Sequence, residues 1–367
     1  MTESLENGKD ADSRIQCLDF LRGFFVFLAL WQHFGFYINY WYVNYYQGWS
    51  YWGELFEAHA PFVNIQISVD SLSHLAAWVF TPWVSQIYLF LAAFNLAKPS
   101  SHKNKNQKIA VFCGLFLLFT FENFIVAPNI GEALSLYPLQ TWMICLILIF
   151  IVSDKFQEKG IWFLFFTGLC LSILPVDNLI NSFEQMGREY IHTNFEIDAR
   201  PHYFLSSACL GYLFGRSWWI SRLENWKQWL VASTILILLW IIFGQEFNVN
   251  PSDVFASEHD QAKNIFGLFG IHGIEILIVG TFLFFYRKGF DVRIKFFNWI
   301  GRYSLLVFFL HRIIFTKIIM PIRMLVYNVW EFKIEAHFYE FWFYILIIVF
   351  CAWLTRKLRI LAYLEGK

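Results

Sequence analysis

Residues 14–35 read RIQCLDFLRGFFVFLALWQHFG. A charged head of Arg14, Asp19 and Arg22 gives way to ten uncharged residues, mostly apolar, before His33, and no charge follows until well beyond Tyr40. An uninterrupted apolar stretch of about 20 residues crosses a bilayer as a helix. The pattern of a short charged segment followed by a long apolar run recurs along all 367 residues. Apolar residues make up 57% of the chain and charged residues 15%, against about 25% charged in soluble domains. With 28 basic and 28 acidic residues there is no basic excess to hold nucleic acid, and 44 Phe exclude disorder. The sequence therefore predicts an all-α, polytopic membrane helical bundle.

The apolar runs predict ten spans, near 18–40, 74–97, 109–127, 137–153, 160–176, 201–215, 228–245, 264–286, 296–318 and 338–355. The third and fourth are split by a short turn at Pro138. Lysine and arginine concentrate on cytoplasmic connections. The connections at 1–17, 98–108, 154–159, 216–227, 287–295 and 356–367 hold nineteen of the 28 cations. The alternate connections hold five: Arg188, Arg200, Lys317, Arg323 and Lys333. This alternation predicts cytoplasmic termini, with tails at 1–17 and 356–367 around a membrane domain at 18–355. The acidic start and the lack of a small-residue cleavage site predict that the first span is retained. Bacterial cytoplasmic (inner) membrane is the expected location. Residues 177–200 read as a polar outer connection, and 41–73 as an outer loop rich in Trp and Tyr, a composition usual at membrane interfaces. The six cysteines lack CxxC spacing and read as small core residues. Gly267, Gly270 and Gly273 read as a close helix contact.

Ionisable groups inside a bilayer are costly and are functional candidates by default. Asp19 and Arg22, three apart, can pair along one helix face. Arg22 and His33 are eleven residues apart, three turns plus only about 20°, so they share a stripe about 16 Å long. The ninth span is similar: Lys295 and Arg302 lie at its cytosolic end, and Ser304 and His311 share a face, whereas Arg302 and His311 point about 180° apart. His272 and Glu275, three apart in the eighth span, read either as a general base with its orienting carboxylate or as a polar bridge between helices, and the bridge is the simpler reading. Glu122 with Asn123, His74 after Asp70, His59, and Arg200 with His202 complete the set. None has convincing metal-ligand context.

The first helix, Leu18-Asp19-Phe20-Leu21-Arg22-Gly23 followed by His33-Phe34-Gly35, resembles the opening signature of the acyltransferase-3 superfamily. Ile300-Gly-Arg302-Tyr-Ser304 through His311 is similar to a late helix of that superfamily. OpgC-type succinyltransferases and heparan-glucosaminide acetyltransferase-like families have comparable openings. Two features differ. Ala92 and Ala93 stand where many members carry Ser-Gly, and residues 98–108 hold lysines but no arginine. The resemblance implies ten spans and transfer of an acetyl group, or another short acyl such as succinyl, from cytosolic acyl-CoA to a hydroxyl of an extracytoplasmic glycan or glycolipid. It implies catalytic roles for His33, Asp19 and Arg22. The donor would be bound by Arg22, Arg302 and Lys295, with acetyl-CoA the expected one and no metal. Membrane lipid is the expected surroundings, and a homodimer is compatible with the reading. The competing class is a multi-pass transporter or flippase of a polar glycolipid or small solute.

Overall fold

The computed structural model describes residues 15–30, 84–99, 105–127, 130–174, 176–191, 197, 200–221, 224–243, 265–322 and 337–358. His33, His59 and His74 lie outside the described residues. Every regular element among those described is helical. In chain order these are α1 (residues 16–30), α2 (Val84–Leu96), α3 (Lys105–Val126), α4 (Ile130–Leu134), α5 (Pro138–Ile173) and α6 (Val176–Ile191). Then come α7 (Pro201–Ser221), α8 (Trp226–Phe243), α9 (Ile265–Arg287), α10 (Lys295–Arg302), α11 (Ser304–Ile314) with a π turn at Phe315–Ile319, and α12 (His337–Lys357).

Five of these stretches are long and apolar enough to cross a membrane: Asn106–Val126, Pro138–Ile173, Trp226–Phe243, Ile265–Arg287 and Ser304–Ile322. The second is a folded hairpin. Gln157 has φ 53° and ψ −144°, a region essentially reserved for glycine. Beyond it, a Cβ on Gly160 would lie 2.7 Å from Val152 Cγ1, eight residues back. Cys145 Sγ approaches the carbonyl of Pro201 (3.7 Å), and Ser172 Oγ that of His202 (3.4 Å). On an unbroken helix Cys145 and Ser172 would be about 40 Å apart. The two expected spans on either side of residues 154–159 are thus two arms of one hairpin.

α7 is the central post. Fifteen of its 21 residues are buried, and it packs on both α5 and α2. Gly211 and Gly215, one turn apart, let the backbone of α2 come close: a Cβ on Gly211 would sit 2.3 Å from the Phe90 carbonyl oxygen, and one on Gly215 2.6 Å from that of Phe94. Such small-residue pairs are how membrane helices gain van der Waals contact where no hydrophobic force acts between them. Gly270 and Gly273 do the same for α9 on α8, against Trp240 and Ile237. α8 presents Val231, Ile235, Leu238 and Ile242 outward, the surface a lipid-facing helix needs.

Three expectations need correction. The ninth span is not one helix: it breaks at Tyr303 (φ −111°, ψ 26°). α10 follows α1, whereas α11 packs on α12 and α3, so one element cannot keep a single axis. The connection at 177–200 is largely helix: α6 buries Glu184 and part of Asp177, while Asn178, Ser182 and Gln185 stay exposed beside an apolar stripe of Leu179, Phe183 and Met186. Cys113 and Cys170 are exposed rather than core residues, while Cys17, Cys145 and Cys209 are buried as expected.

Candidate functional site

α1 and α10 cross with their backbones in contact. A Cβ on Gly23 would stand 1.8 Å from the carbonyl oxygen of Phe297, and one on Gly301 1.8 Å from that of Asp19. Asn298 Nδ2 donates to the Gln16 carbonyl (2.9 Å), and Phe20, Phe24 and Phe27 pack around the ring of Phe297. The crossing brings together the two stretches that the sequence singled out. Asp19, buried, forms an ion pair with Arg22 (Nη1 to Oδ1, 3.1 Å), as its i, i+3 spacing predicts.

Beside this crossing lies a cavity of about 420 Å3. Arg22 and Arg302 line it from the crossing, and Lys98 and Lys108 from α2's end and the start of α3. Among the described residues, none that lines it is acidic. The cavity extends along α2 from Leu96 to Tyr88, about 12 Å at 1.5 Å per residue. At the Tyr88 end two aromatic rings form part of the wall. Tyr88 stacks on Trp142 (4.9 Å between centroids), and its hydroxyl and that of Ser304 are 2.5 Å apart. Lys98 Nζ stands 5.5 Å over the Trp219 ring, while Trp219 Nε1 donates to the Phe94 carbonyl (3.1 Å). Four cations and a Tyr88–Trp142 aromatic pair lining one cavity suit an anionic group tethered to a less polar arm.

Among the described residues, Arg216 and Arg356 of the predicted cytoplasmic set share this end of the bundle. Arg302 and Arg356 both stack on Tyr303 (5.6 and 4.9 Å). Arg216, less than one turn before Trp219, meets Glu158 at the hairpin bend (3.4 Å).

The remaining sequence candidates scatter. Lys295 is exposed at the start of α10 and does not line the cavity. Its place is taken by Lys98 and Lys108, which the sequence marked only as topological cations. His311 is buried outside the cavity, its Nδ1 on the carbonyl of Phe308. His311 also accepts through its main-chain oxygen from the Tyr344 hydroxyl (3.1 Å). Ser304 shares α11 with it but lines the cavity two turns away.

His272 and Glu275 are paired and fully buried (Nδ1 to Oε2, 3.0 Å), and His272 Nε2 meets Ser206 Oγ of α7 at 3.0 Å. Serine, imidazole and carboxylate in series resemble a nucleophile triad. The Ser206 and Glu275 side chains have no exposed surface, however, and the set ties α9 to α7 as the polar-bridge reading expects. Nothing in the sequence marked Ser206 as the third member. A second pair, part-buried Arg312 with buried Glu122 (3.8 Å), is supported by Asn123 Oδ1 (2.7 Å) and by the Tyr137 ring under the guanidinium (4.4 Å).

Arg200 and His202 lie at the opposite end of the bundle, around Asp177 of α6. Arg200 forms an ion pair with Asp177 and donates to Asn181 Oδ1 (2.6 Å). The Tyr203 hydroxyl donates to Asp177, and His202 Nε2 lies 3.5 Å from it. Burial pushes the Asp177 carboxyl up, but Tyr203 and Arg200 outweigh it and hold its pKa below the ordinary 3.8. Asp177 in turn raises Arg200 against its own desolvation. Among the described residues no three His, Cys, Asp or Glu side chains gather around one metal-sized position.

The chain matches no protein-family model, no curated protein and no solved structure. The fold and site define a helical bundle with apolar helices long enough to span a membrane and a cationic cavity at one end.

Proposed function

We propose that this chain is an integral membrane acyltransferase of about ten spans with cytosolic termini, seated in a bacterial inner membrane. It moves an acetyl or other short acyl group from cytosolic acyl-CoA to a hydroxyl of an extracytoplasmic glycan or glycolipid. The observation that carries this reading is the crossing at Gly23 and Gly301. It gathers both signature stretches beside one cavity that, among the described residues, four cations and no carboxylate line.

Arg22, Arg302, Lys98 and Lys108 bind the phosphates of the nucleotide, guanidinium and ammonium donors being suited to phosphate oxygens. Asp19 orients Arg22. The pantetheine arm enters along α2 toward Tyr88 and Ser304. His33, three helical turns beyond Arg22 by the sequence arithmetic, takes the proton of the acceptor hydroxyl. The alkoxide oxygen attacks the thioester carbonyl, the carbon–sulfur bond breaks, and CoA leaves as the thiolate that receives the proton. An acyl-imidazole on His33 is the two-step variant of the same chemistry.

The test is transfer of a labelled acetyl group from acetyl-CoA to membrane glycans by purified protein, comparing wild type with His33→Ala. Transfer that requires His33 supports the reading, and full transfer by the variant removes His33 from it. A transporter without acyl chemistry draws support from the Glu122–Arg312 and His272–Glu275 pairs. It predicts movement of solute or lipid in liposomes that contain no acyl donor.

A further inference from the structure

A second cavity, about 600 Å3, opens between α7, α8 and α9 and shares no lining residue with the first. It lies at the same end of the bundle, since Trp218 lines it and the adjacent Trp219 lines the cationic cavity. Its volume falls within the range of about 300–1,000 Å3 usual for small-molecule sites. The chemistry is different from that of its neighbour. Trp218, Trp226 and Trp229 form much of the wall together with Phe214 and Phe284. Gly280 leaves space there, where a Cβ would meet only Phe214 Cζ, at 3.5 Å. The cations that line it, Arg287 and Lys288, stand exposed where α9 ends. Lys288 Nζ lies 5.8 Å over the Phe284 ring, so its ammonium turns back over the groove wall. Among the described residues, none that lines it is acidic.

A groove this apolar rejects a nucleotide, and paired cations at its edge give a purely neutral lipid no advantage. We infer that it is a binding site for one anionic phospholipid, with an acyl chain against the three tryptophans and the phosphate on Arg287 and Lys288. Basic groups beside apolar clefts at the membrane surface select anionic head groups in this way, each cation contributing roughly fivefold in affinity. The inference does not depend on acyl transfer.

Native mass spectrometry of the full chain in detergent, titrated with phosphatidylglycerol or phosphatidylcholine of identical acyl chains, reads the site directly. Phosphatidylglycerol should form a one-to-one adduct about thirtyfold more tightly than phosphatidylcholine. The Arg287→Gln/Lys288→Gln double variant should bind the two lipids alike. Both residues are exposed, so this variant keeps the fold. Gly280→Leu should lose the adduct, whereas Gly280→Ala, whose methyl meets only ordinary contact, should keep it. Millimolar inorganic phosphate should not displace the lipid, because the chain and not the phosphate alone holds it. Equal affinity of the wild type for both lipids, an adduct that is unaffected by the double variant, or displacement by free phosphate overturns the proposal.

Discussion

Gly23 and Gly301 touch across the crossing of α1 and α10, each in contact with the partner helix's backbone, so that neither position has room for a methyl group. Two segments 278 residues apart in sequence are thereby fixed at van der Waals distance. That Arg22 and Arg302 line one cavity is a consequence of that contact.

The crossing is the first place to test. Gly23→Ala or Gly301→Ala places a methyl 1.8 Å from a carbonyl oxygen, and overpacking of this kind costs about 1–3 kcal/mol or more. Both variants should melt lower in detergent and lose donor binding together. Gly114→Ala is the control, since a Cβ there meets nothing within 4 Å; it should be neutral or stabilise by up to about 1 kcal/mol. Equal melting temperatures for all three would remove the crossing as a structural determinant.

Arg22 and Lys108 face the cavity from different helices. A charge-assisted hydrogen bond contributes about 1.5–3 kcal/mol. Arg22→Gln and Lys108→Gln should therefore each raise the KM for acyl-CoA by about tenfold or more, and more steeply at low salt. Lys295→Gln should leave it unchanged. A KM that responds to Lys295 but not to Lys108 would place the donor elsewhere.

The Ser206–His272–Glu275 set separates a bridge from a base. In Glu275→Leu the buried His272 Nδ1 loses its partner at a cost of about 1–3 kcal/mol, with Glu275→Gln milder. Melting temperature should fall while turnover per folded molecule stays near wild type. A catalytic base would show the reverse, turnover dropping by a hundredfold or more with stability retained.

Asp177 carries a pH signature. Its folded pKa lies below the ordinary 3.8, so its contribution to stability is complete above that value and is lost as the pH falls through the folded pKa. Melting temperature scanned from neutral to strongly acidic pH should drop at the acid end in the wild type. In Asp177→Asn, which leaves Arg200, His202 and Tyr203 without the carboxylate, the stability should start lower and the acid drop should flatten.

Gln157 occupies backbone space that only glycine enters without strain of about 1–3 kcal/mol. Gln157→Gly should raise the melting temperature and leave transfer unchanged, and a loss of stability would mean that the Gln157 side chain holds the bend.

Much of the architecture is legible in one dimension. The apolar runs located α3, both arms of the hairpin, α8 and α9 because hydropathy is a property of local sequence, and the pairing of Asp19 with Arg22 followed from helical spacing alone. Of the cations that the charge census grouped together, the fold carries Lys98, Arg216 and Arg356 to one end. What escaped was decided by contacts between distant segments. α6 read as a polar connection from its mixed composition, and the inward turn of Asp177 to Arg200 and of Glu184 to the main-chain nitrogen of Ile197 depends on partners outside the helix. Ser206 carries no local signal that it would meet His272.

By itself the sequence determined which stretches are apolar enough to enter lipid and which charged residues sit at their ends, since both depend only on composition and on the 3.6-residue period of the helix. Only the tertiary structure decided that Lys98 and Lys108, not Lys295, complete the cationic cavity, and that His311 stays outside it. The reason is geometric: a helix fixes the angles among its own side chains, but which of them share a space depends on where partner helices pack, and here glycine contacts at Gly23, Gly301, Gly211 and Gly215 set that packing.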